Sequence, residues 1–135
     1  MILVDSSVWI AYFTGNDIWQ SDALEKILPS QPLLIGDLIL TEVLQGFRSE
    51  KDYKKAKSFL GFLNFKELVG YEIAVKSSSN YRLLRKNGIT VRKTIDVIIG
   101  TFCIENHIRL LHNDHDFDPM EKLLGLNVIS PEIML

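Results

Sequence analysis

Four widely separated carboxylates are the side chains in this sequence whose types and positions best suit chemistry. They are Asp5, Glu42, Asp96 and Asp114. Asp5 directly follows the apolar run of residues 2–4, and Asp114 follows the short run of residues 109–112. Each of these two aspartates is therefore predicted at the carboxyl end of a buried strand, where open α/β sheets gather their ligands. An ionised carboxylate in such a place is costly unless a positive group meets it.

Asp96 lies on a predicted helix that is apolar on almost every side, which indicates a buried helix. Its neighbours on the helix face, Gly100 and Cys103, are small and are expected to leave room for an ion or another backbone. A second interpretation also stays open. In it, Asp96 is an ordinary first-turn acid that the helix dipole favours after a cap by Thr94.

Glu42 and Asp114 are also each compatible with two roles. Glu42 falls at the edge of the apolar arc of its own helix, so it faces either solvent or the boundary of the core. Asp114 and Asp116 share a polar loop, where an Asx turn or a helix N-cap would explain them without any chemistry.

Together the four carboxylates form an all-oxygen set without the Cys and His pattern that zinc prefers. Hard oxygen ligands suit Mg²⁺ or Mn²⁺. Without a metal ion such a cluster repels itself, and some of its pKa values rise. With an ion it could activate a water molecule and neutralise a phosphate during in-line displacement. The sequence therefore predicts metal-dependent chemistry on a phosphate, provided that the fold brings the four side chains together.

The composition indicates one soluble globular domain over residues 1–135, because 47% of the residues are hydrophobic and 24% are charged. The net charge of −2 offers no overall attraction for nucleic acid, so such a role must depend on local basic patches or metal ions. Cys103 is the only cysteine, which excludes an internal disulfide and favours a reducing compartment. Neither a membrane-length apolar run nor a leader-like segment is present, so we expect a cytoplasmic protein without a membrane partner.

Short apolar runs alternate with helical patterns along the chain, which predicts an α/β fold with a parallel sheet. The predicted strands cover residues 2–4, 33–35, 65–69, 109–112 and 127–129. The predicted helices cover residues 38–48, 51–63, 71–86, 94–106 and 118–125, after one that Ser6 or Ser7 caps and one that starts at Asp17 or Ser21. The inner face of the first helix is expected to carry Trp9, Ile10 and Phe13.

Four segments carry most of these candidate residues: Val4-Asp-Ser-Ser-Val-Trp-Ile10, Thr41-Glu-Val-Leu-Gln-Gly-Phe-Arg-Ser49, Ile95-Asp-Val-Ile-Ile-Gly100 and Leu110-Leu-His-Asn-Asp-His-Asp-Phe117. In this order they resemble PIN-domain ribonucleases, and most of all the VapC-type toxins of bacterial toxin–antitoxin pairs. The four segments span nearly the whole chain. The resemblance implies a PIN-like three-layer sandwich in which helices flank a central parallel sheet.

The same resemblance implies a metal-dependent endoribonuclease that is the toxin of a VapBC-like pair. The four carboxylates would be catalytic, with Asp5, Asp96 and Asp114 holding Mg²⁺ or Mn²⁺. Ser6 would support the pocket, and Asp116 would be a second acid close to it. The implied partners are an RNA substrate, a cognate antitoxin whose tail reaches the active-site groove, and a second copy of the chain in a homodimer.

Two positions depart from the pattern of these toxins. His112 stands where they usually carry Thr or Ser, so the hydroxyl that would cap the Asp114 loop is missing. Gly100 and Thr101 stand where alanines are common, which changes packing more than chemistry. The loop histidines are interpreted as solvated side chains.

A basic segment precedes the Asp96 helix and has two interpretations. It contains Arg82, Arg85, Lys86, Arg92 and Lys93. Its charges could steer RNA phosphates toward the acidic pocket, or they could simply form a solvated helix face.

Three other functions stay open at this point. The first is a non-catalytic PIN-like module that binds protein or RNA in its groove. The second is a PIN nuclease in RNA processing without a toxin role. The third is a phosphatase-type hydrolase with Asp5 as nucleophile, although such enzymes usually carry an acid where Ser7 stands.

Overall fold

A four-stranded parallel sheet forms the centre of the protein, for which a computed structural model describes residues 1–131. The strands are β1 (Ile2–Val4), β2 (Leu33–Gly36), β3 (Asn64–Lys66) and β4 (Arg109–Leu111). Their order across the sheet is β3-β2-β1-β4, so the first and last strands of the chain pair directly. The expected parallel α/β architecture is confirmed.

Seven α-helices surround this sheet within residues 1–131, and a short 3₁₀ turn (His115–Phe117) precedes the last of them. The helices are α1 (Ser6–Phe13), α2 (Trp19–Ile27), α3 (Asp37–Gln45), α4 (Glu50–Leu60), α5 (Gly70–Lys86), α6 (Thr94–Glu105) and α7 (Asp118–Leu124). Among the described residues, no helix combines the length and the apolar character needed to cross a bilayer.

The apolar strands explain where the core lies. Every residue of β1 and β2 is buried, as expected for strands that helices cover on both faces. Each fully buried Leu, Ile or Val side chain contributes about 1.5–3 kcal/mol, so these two short strands supply a large share of the folding free energy. Trp9 is fully buried and packs against Phe13 and Phe59, which fixes α1 against α4.

Of the predicted strands, the one over residues 65–69 is shorter than expected and the one over residues 127–129 is absent. Residues 127–129 form no strand, because only Val128 makes an isolated parallel bridge to Leu110. β3 ends at Lys66, where the chain turns so that Leu68 enters the core. Asp37 holds this turn, since its Oδ1 accepts a hydrogen bond from the Leu68 backbone N–H over 3.1 Å.

Several predicted helix caps are also wrong. Asp5, not Ser6 or Ser7, is the N-cap of α1, because its carboxylate accepts from the Ser7 backbone N–H. Ile10 is 43% exposed and does not belong to the inner face of that helix. The capping positions of α2 and α6 are held by Ile18 and Lys93, neither of which caps its helix through a side-chain hydrogen bond.

Candidate active site

The four predicted carboxylates come from four different elements and act on one another electrostatically. Asp5 follows β1, Glu42 lies on α3, Asp96 lies in the first turn of α6, and Asp114 follows β4. The negative charge of Asp114 raises the pKa of each of the other three. Asp96 and Asp114 each offer a carboxylate oxygen within 4.8 Å of the other and of Asp116. Asp5 lies outside this cluster and is connected to the Asp114 loop through the Ser7 hydroxyl, and Glu42 is connected to the start of α1 through Ser6.

Asp5 is held rigidly at the end of β1. Its backbone N–H donates to Leu111 O over 2.9 Å, which continues the pairing of β1 with β4 by one residue. Its Oδ2 accepts from the backbone N–H of Ser7 over 3.1 Å and from the Ser7 hydroxyl over 2.6 Å. Burial raises the pKa of Asp5, and these two hydrogen bonds oppose that rise.

Glu42 faces the pocket and lies at its partly exposed edge. The Ser6 hydroxyl donates to Glu42 Oε1 over 3.2 Å, so Ser6 does contact the acidic pocket. Burial raises the pKa of Glu42, and the charge of Asp5 raises it further. The sequence left open whether Glu42 faces solvent or the boundary of the core. Its contact with Ser6 turns Glu42 toward the other acids.

Asp96 is the most strongly perturbed acid of the pocket. Its residue surface is only 3% exposed, and burial, opposed by Lys93, raises its pKa to about 7. An aspartate that titrates near neutral pH is strongly perturbed, and such a residue in a pocket is a candidate for a functional role. The room expected beside it is partly filled, because a Cβ built on Gly100 would lie 2.4 Å from Met120 Sδ.

Asp114 is fixed by its own loop. Its Oδ1 accepts from the Asp116 backbone N–H over 2.9 Å, which caps the 3₁₀ turn. Burial pushes the pKa of Asp114 upward, but this N–H and the Lys93 ammonium outweigh it and hold the pKa below its usual range. The missing hydroxyl at position 112 is replaced by the imidazole of His112, whose Nδ1 accepts from the Asp114 backbone N–H over 3.1 Å.

Two cations of the basic segment reach the pocket. Lys93 Nζ lies 3.0 Å from Asp114 Oδ2 and 3.4 Å from Asp96 Oδ2. Arg92 donates to Asp116 Oδ1 from Nε over 3.2 Å and from Nη2 over 3.0 Å. Lys93 and Arg92 therefore contact the acids directly. The sequence had suggested only that the basic segment steers RNA phosphates or forms a solvated helix face.

Three carboxylate oxygens in the pocket are buried and have no hydrogen-bond partner within residues 1–131. They are Asp5 Oδ1, Asp96 Oδ2 and Asp116 Oδ2. In addition, Asp96, Asp114 and Asp116 each offer an oxygen, and these atoms lie within 4.8 Å of one another. Buried oxygens that lack donors are expensive, and a hard cation is the partner that they fit. The donor set is therefore suited to Mg²⁺ or Mn²⁺.

Sequence reasoning did not find the residues that join the two sides of this pocket. The Ser7 hydroxyl, besides donating to Asp5, accepts from the Asn113 backbone N–H over 3.0 Å. Gln20 is buried, and its Nε2 donates to His112 O over 3.2 Å and to Asn113 Oδ1 over 3.3 Å. Only the polar character of Ser7 at the start of the apolar helix α1 could have drawn attention to it, and Gln20 lies among other polar residues of α2 and carries no such signal.

Comparison with known proteins agrees with the architecture. Residues 2–123 match the PIN domain family. The VapC ribonuclease Mb1587 of Mycobacterium bovis is 27% identical over 135 residues, which covers 96% of this chain and 98% of the relative. Ribonuclease VapC11 of Mycobacterium tuberculosis matches with the same identity and coverage.

Several solved structures with the same fold are described as toxins or toxin–antitoxin complexes. VapBC2 from Rickettsia felis, bound to a DNA fragment from its promoter, gives a TM-score of 0.76 at 14% identity and covers 96% of this chain and 98% of that one. VapC20 of Mycobacterium tuberculosis, described as a Sarcin-Ricin loop cleaving toxin, gives 0.70 at 15% identity, with 97% and 100% covered. At these identities the likeness shows a shared fold alone.

Proposed function

The chain belongs to the PIN domain family, and we propose that it is a Mg²⁺- or Mn²⁺-dependent endoribonuclease and the toxin of a toxin–antitoxin pair. The observation that carries this proposal is the pocket itself. Acids from four elements lie around the carboxyl ends of β1 and β4. Two of their oxygens, on Asp5 and Asp96, are buried without a donor, and so is one oxygen of the neighbouring Asp116. A binding surface would not need such a costly arrangement, whereas hydrolysis of a phosphodiester through a metal ion does.

In this proposal Asp5, Asp96 and Asp114 bind the ion. Asp116 is a further candidate ligand, because one of its oxygens lies within 4.8 Å of those of Asp96 and Asp114. The ion would supply Lewis acidity toward the phosphate and the attacking water. The lowered pKa of Asp114 supports this role, since a ligand must be ionised, and the raised pKa of Asp96 means that metal binding must displace a proton there.

Glu42 would orient the attacking water. Its Oε1 is already occupied by the Ser6 hydroxyl, which leaves Oε2 to accept a hydrogen bond from that water. Burial and the charge of Asp5 raise the pKa of Glu42, which brings its proton affinity closer to that of a general base at neutral pH. Ser6 would therefore be a positioning residue that acts through Glu42.

The proposed partners follow from the relatives. Two of them are named ribonucleases and match nearly their whole length, which supports RNA as the substrate. Several structures with this fold are toxin–antitoxin complexes, including one from Klebsiella pneumoniae with a TM-score of 0.72 at 17% identity, 97% of this chain and 98% of that chain covered. We accordingly propose a cognate antitoxin as the inhibitory partner, together with a homodimer in a cytoplasmic setting.

The decisive experiment is cleavage of a mixed RNA pool by the purified protein with Mg²⁺, with Mn²⁺ or with a chelator, beside the Asp5→Asn variant. We expect metal-dependent cuts that disappear in the variant, and mapping of the cut sites would begin to identify the target RNA. Cleavage that survives in Asp5→Asn would contradict the assignment. A folded protein that cuts nothing and binds no Mn²⁺ would favour the non-catalytic binding module.

A further inference from the structure

The Lys93 side chain lies across two of the acids that the proposed function assigns to the metal. Its Nζ is 3.0 Å from Asp114 Oδ2 and 3.4 Å from Asp96 Oδ2, although the second contact lacks hydrogen-bond geometry and leaves that oxygen without a donor. The two carboxylates are mostly buried, with 4% of the Asp96 side chain exposed, whereas the Lys93 side chain is 51% exposed. Lys93 thus enters the pocket from the solvent side.

This ammonium partly neutralises the pocket. Its Nζ lies within 3.4 Å of an oxygen of each carboxylate, so its positive charge offsets part of their negative charge. Its hydrogen bond to Asp114 Oδ2 anchors it there. The charge of Lys93 therefore offsets the mutual repulsion of acids that would otherwise face one another in a buried place.

A divalent ion and this ammonium compete for the same oxygens. Mg²⁺ binds carboxylate oxygens at about 2.0–2.1 Å, so an ion on Asp114 Oδ2 would lie against the Lys93 ammonium and repel it. The lysine can leave, because its side chain is half-exposed and has a flexible stem with a compact charge at the end. A released ammonium at the mouth of the pocket is placed to bind an RNA phosphate.

We propose, on the basis of the proposed function, that Lys93 is an internal counter-ion that occupies the pocket without metal, yields to the divalent ion, and then binds the substrate phosphate. Lys93 is on this view a positioning residue with two alternating partners. Metal binding and RNA binding become coupled, because the ion that displaces the lysine also frees it for the phosphate.

Arg92 provides a contrast within the same segment. Its Nε and Nη2 both donate to Asp116 Oδ1, so the guanidinium forms a fork on one oxygen and leaves Asp116 Oδ2 free. Arg92 therefore does not lie between the oxygens of Asp96 and Asp114. Exchange with the metal ion is therefore expected of the Lys93 ammonium and not of every positive charge near the pocket.

Calorimetric titration with Mn²⁺ tests the exchange without any RNA. In Lys93→Met the ion no longer competes with an ammonium, so we expect roughly tenfold tighter Mn²⁺ binding than in the unchanged protein. The matched control is Lys76→Met, which removes the same charge from an exposed lysine paired with Glu105, outside the pocket. It should leave Mn²⁺ affinity unchanged. Lys93→Arg keeps the charge and should not gain affinity.

The second readout is binding of a single-stranded RNA pool by fluorescence anisotropy, with Ca²⁺ replacing Mn²⁺ so that binding is measured without turnover. Lys93→Met should bind RNA more weakly than the unchanged protein. The slope of log affinity against log salt should fall by about one, as expected for the loss of one phosphate contact. Tighter metal binding combined with weaker RNA binding is a pair of opposite effects that a merely structural lysine would not give.

Three outcomes overturn the proposal. Equal Mn²⁺ affinity of Lys93→Met and the unchanged protein, both binding metal, overturns the exchange and leaves the proposed function intact. Weaker Mn²⁺ binding by Lys93→Met, with folding confirmed by thermal unfolding, means that the lysine builds the metal site. Absence of Mn²⁺ binding in every variant overturns the proposed metal site and the exchange together. If Lys93→Met does not fold, Lys93→Gln is titrated in its place.

Discussion

The Ser7 hydroxyl donates a hydrogen bond of 2.6 Å to Asp5 Oδ2, and Ser7 Oγ also accepts a hydrogen bond from the Asn113 backbone N–H over 3.0 Å. One small side chain thereby connects the acid at the end of β1 with the loop that carries Asp114. The two residues that meet through Ser7 Oγ are separated by most of the chain. The relative position of the two strand-end acids therefore depends on Ser7.

Replacement of Ser7 by Ala should weaken catalysis and metal binding and should also lower stability. The variant loses both hydrogen bonds of the hydroxyl, so Asp5 and the Asp114 loop can shift relative to each other. Loss of a side chain that orients a ligand typically lowers metal affinity or activity by about 10–100-fold. The free energy of unfolding should fall by about 1–3 kcal/mol. Mn²⁺ titration and thermal unfolding measure the two effects.

Ser6→Ala is the matched control for Ser7→Ala, because it removes a neighbouring hydroxyl that contacts Glu42 alone. It should retain Mn²⁺ affinity and lose part of the cleavage rate. Equal losses of metal affinity in both variants would contradict the special role of Ser7.

Asp96→Asn should abolish cleavage while leaving the metal-free protein folded and at least as stable at pH 7. The amide keeps the size of the side chain but removes a charge whose burial raises the pKa to about 7. Removal of this buried charge stabilises the folded protein and offsets the stability that is lost with the Lys93 ion pair. RNA cleavage assays and thermal unfolding in chelator check both parts, and a markedly less stable variant would show that Asp96 is chiefly a structural ion-pair partner.

The stability of the metal-free protein should fall as pH rises from about 4 to about 7. Asp96 has its pKa raised from 3.8 to about 7 in the folded state, so the native protein binds more protons than the unfolded chain in this window. Stability from this group is complete below the unfolded pKa and is lost as pH rises through the folded pKa. The raised pKa values of Asp5 and Glu42 act in the same direction, whereas the lowered pKa of Asp114 acts in the opposite one.

Thermal unfolding in chelator at a series of pH values measures this slope. Asp96→Asn should flatten it, since the variant lacks the most perturbed group. A stability that rises across the window in the unchanged protein would contradict the raised pKa of Asp96.

Two substitutions should separate the contribution of His112 to capping from its contribution to packing. His112→Phe keeps a ring beside Phe117, whose centroid lies 4.9 Å from the imidazole, but removes the acceptor for the Asp114 N–H. That half-buried N–H would lose its partner at a cost of about 1–3 kcal/mol, and Mn²⁺ affinity should fall with it. His112→Thr restores an acceptor through a local turn and should recover metal affinity. Full affinity in His112→Phe would show that the imidazole nitrogen is not needed.

The parts of this fold that sequence patterns predicted well are those with strong local signals. β1 and β2 consist of uninterrupted apolar residues, and the apolar surface of α6 marks it as buried. Asp5 and Asp114 could be placed at strand ends because Asp5 directly follows such a run and Asp114 follows the predicted strand over residues 109–112 after one residue. These features depend on neighbours in sequence, where periodicity and composition carry the information.

The features that escaped prediction depend on contacts across long sequence separations. Gln20 reaches His112 over 92 positions, and nothing in its local pattern indicates that partner. The space beside Gly100 is taken by Met120, which lies on another helix. Lys93 resembles other surface lysines until the fold places Asp114 opposite it. Helix caps were wrong for a related reason, since Asp5, Ser6 and Ser7 are all good caps and tertiary contacts select among them.

The direct pairing of β1 with β4 also has a consequence for synthesis of the protein on the ribosome. A chain interrupted before residue 109 lacks β4 and the Asp114 loop, so one edge of β1 has no partner and Ser7 cannot reach Asn113. Asp5 is then present without the acids that complete its pocket. The acidic pocket can therefore assemble only after almost all of the polypeptide has been translated.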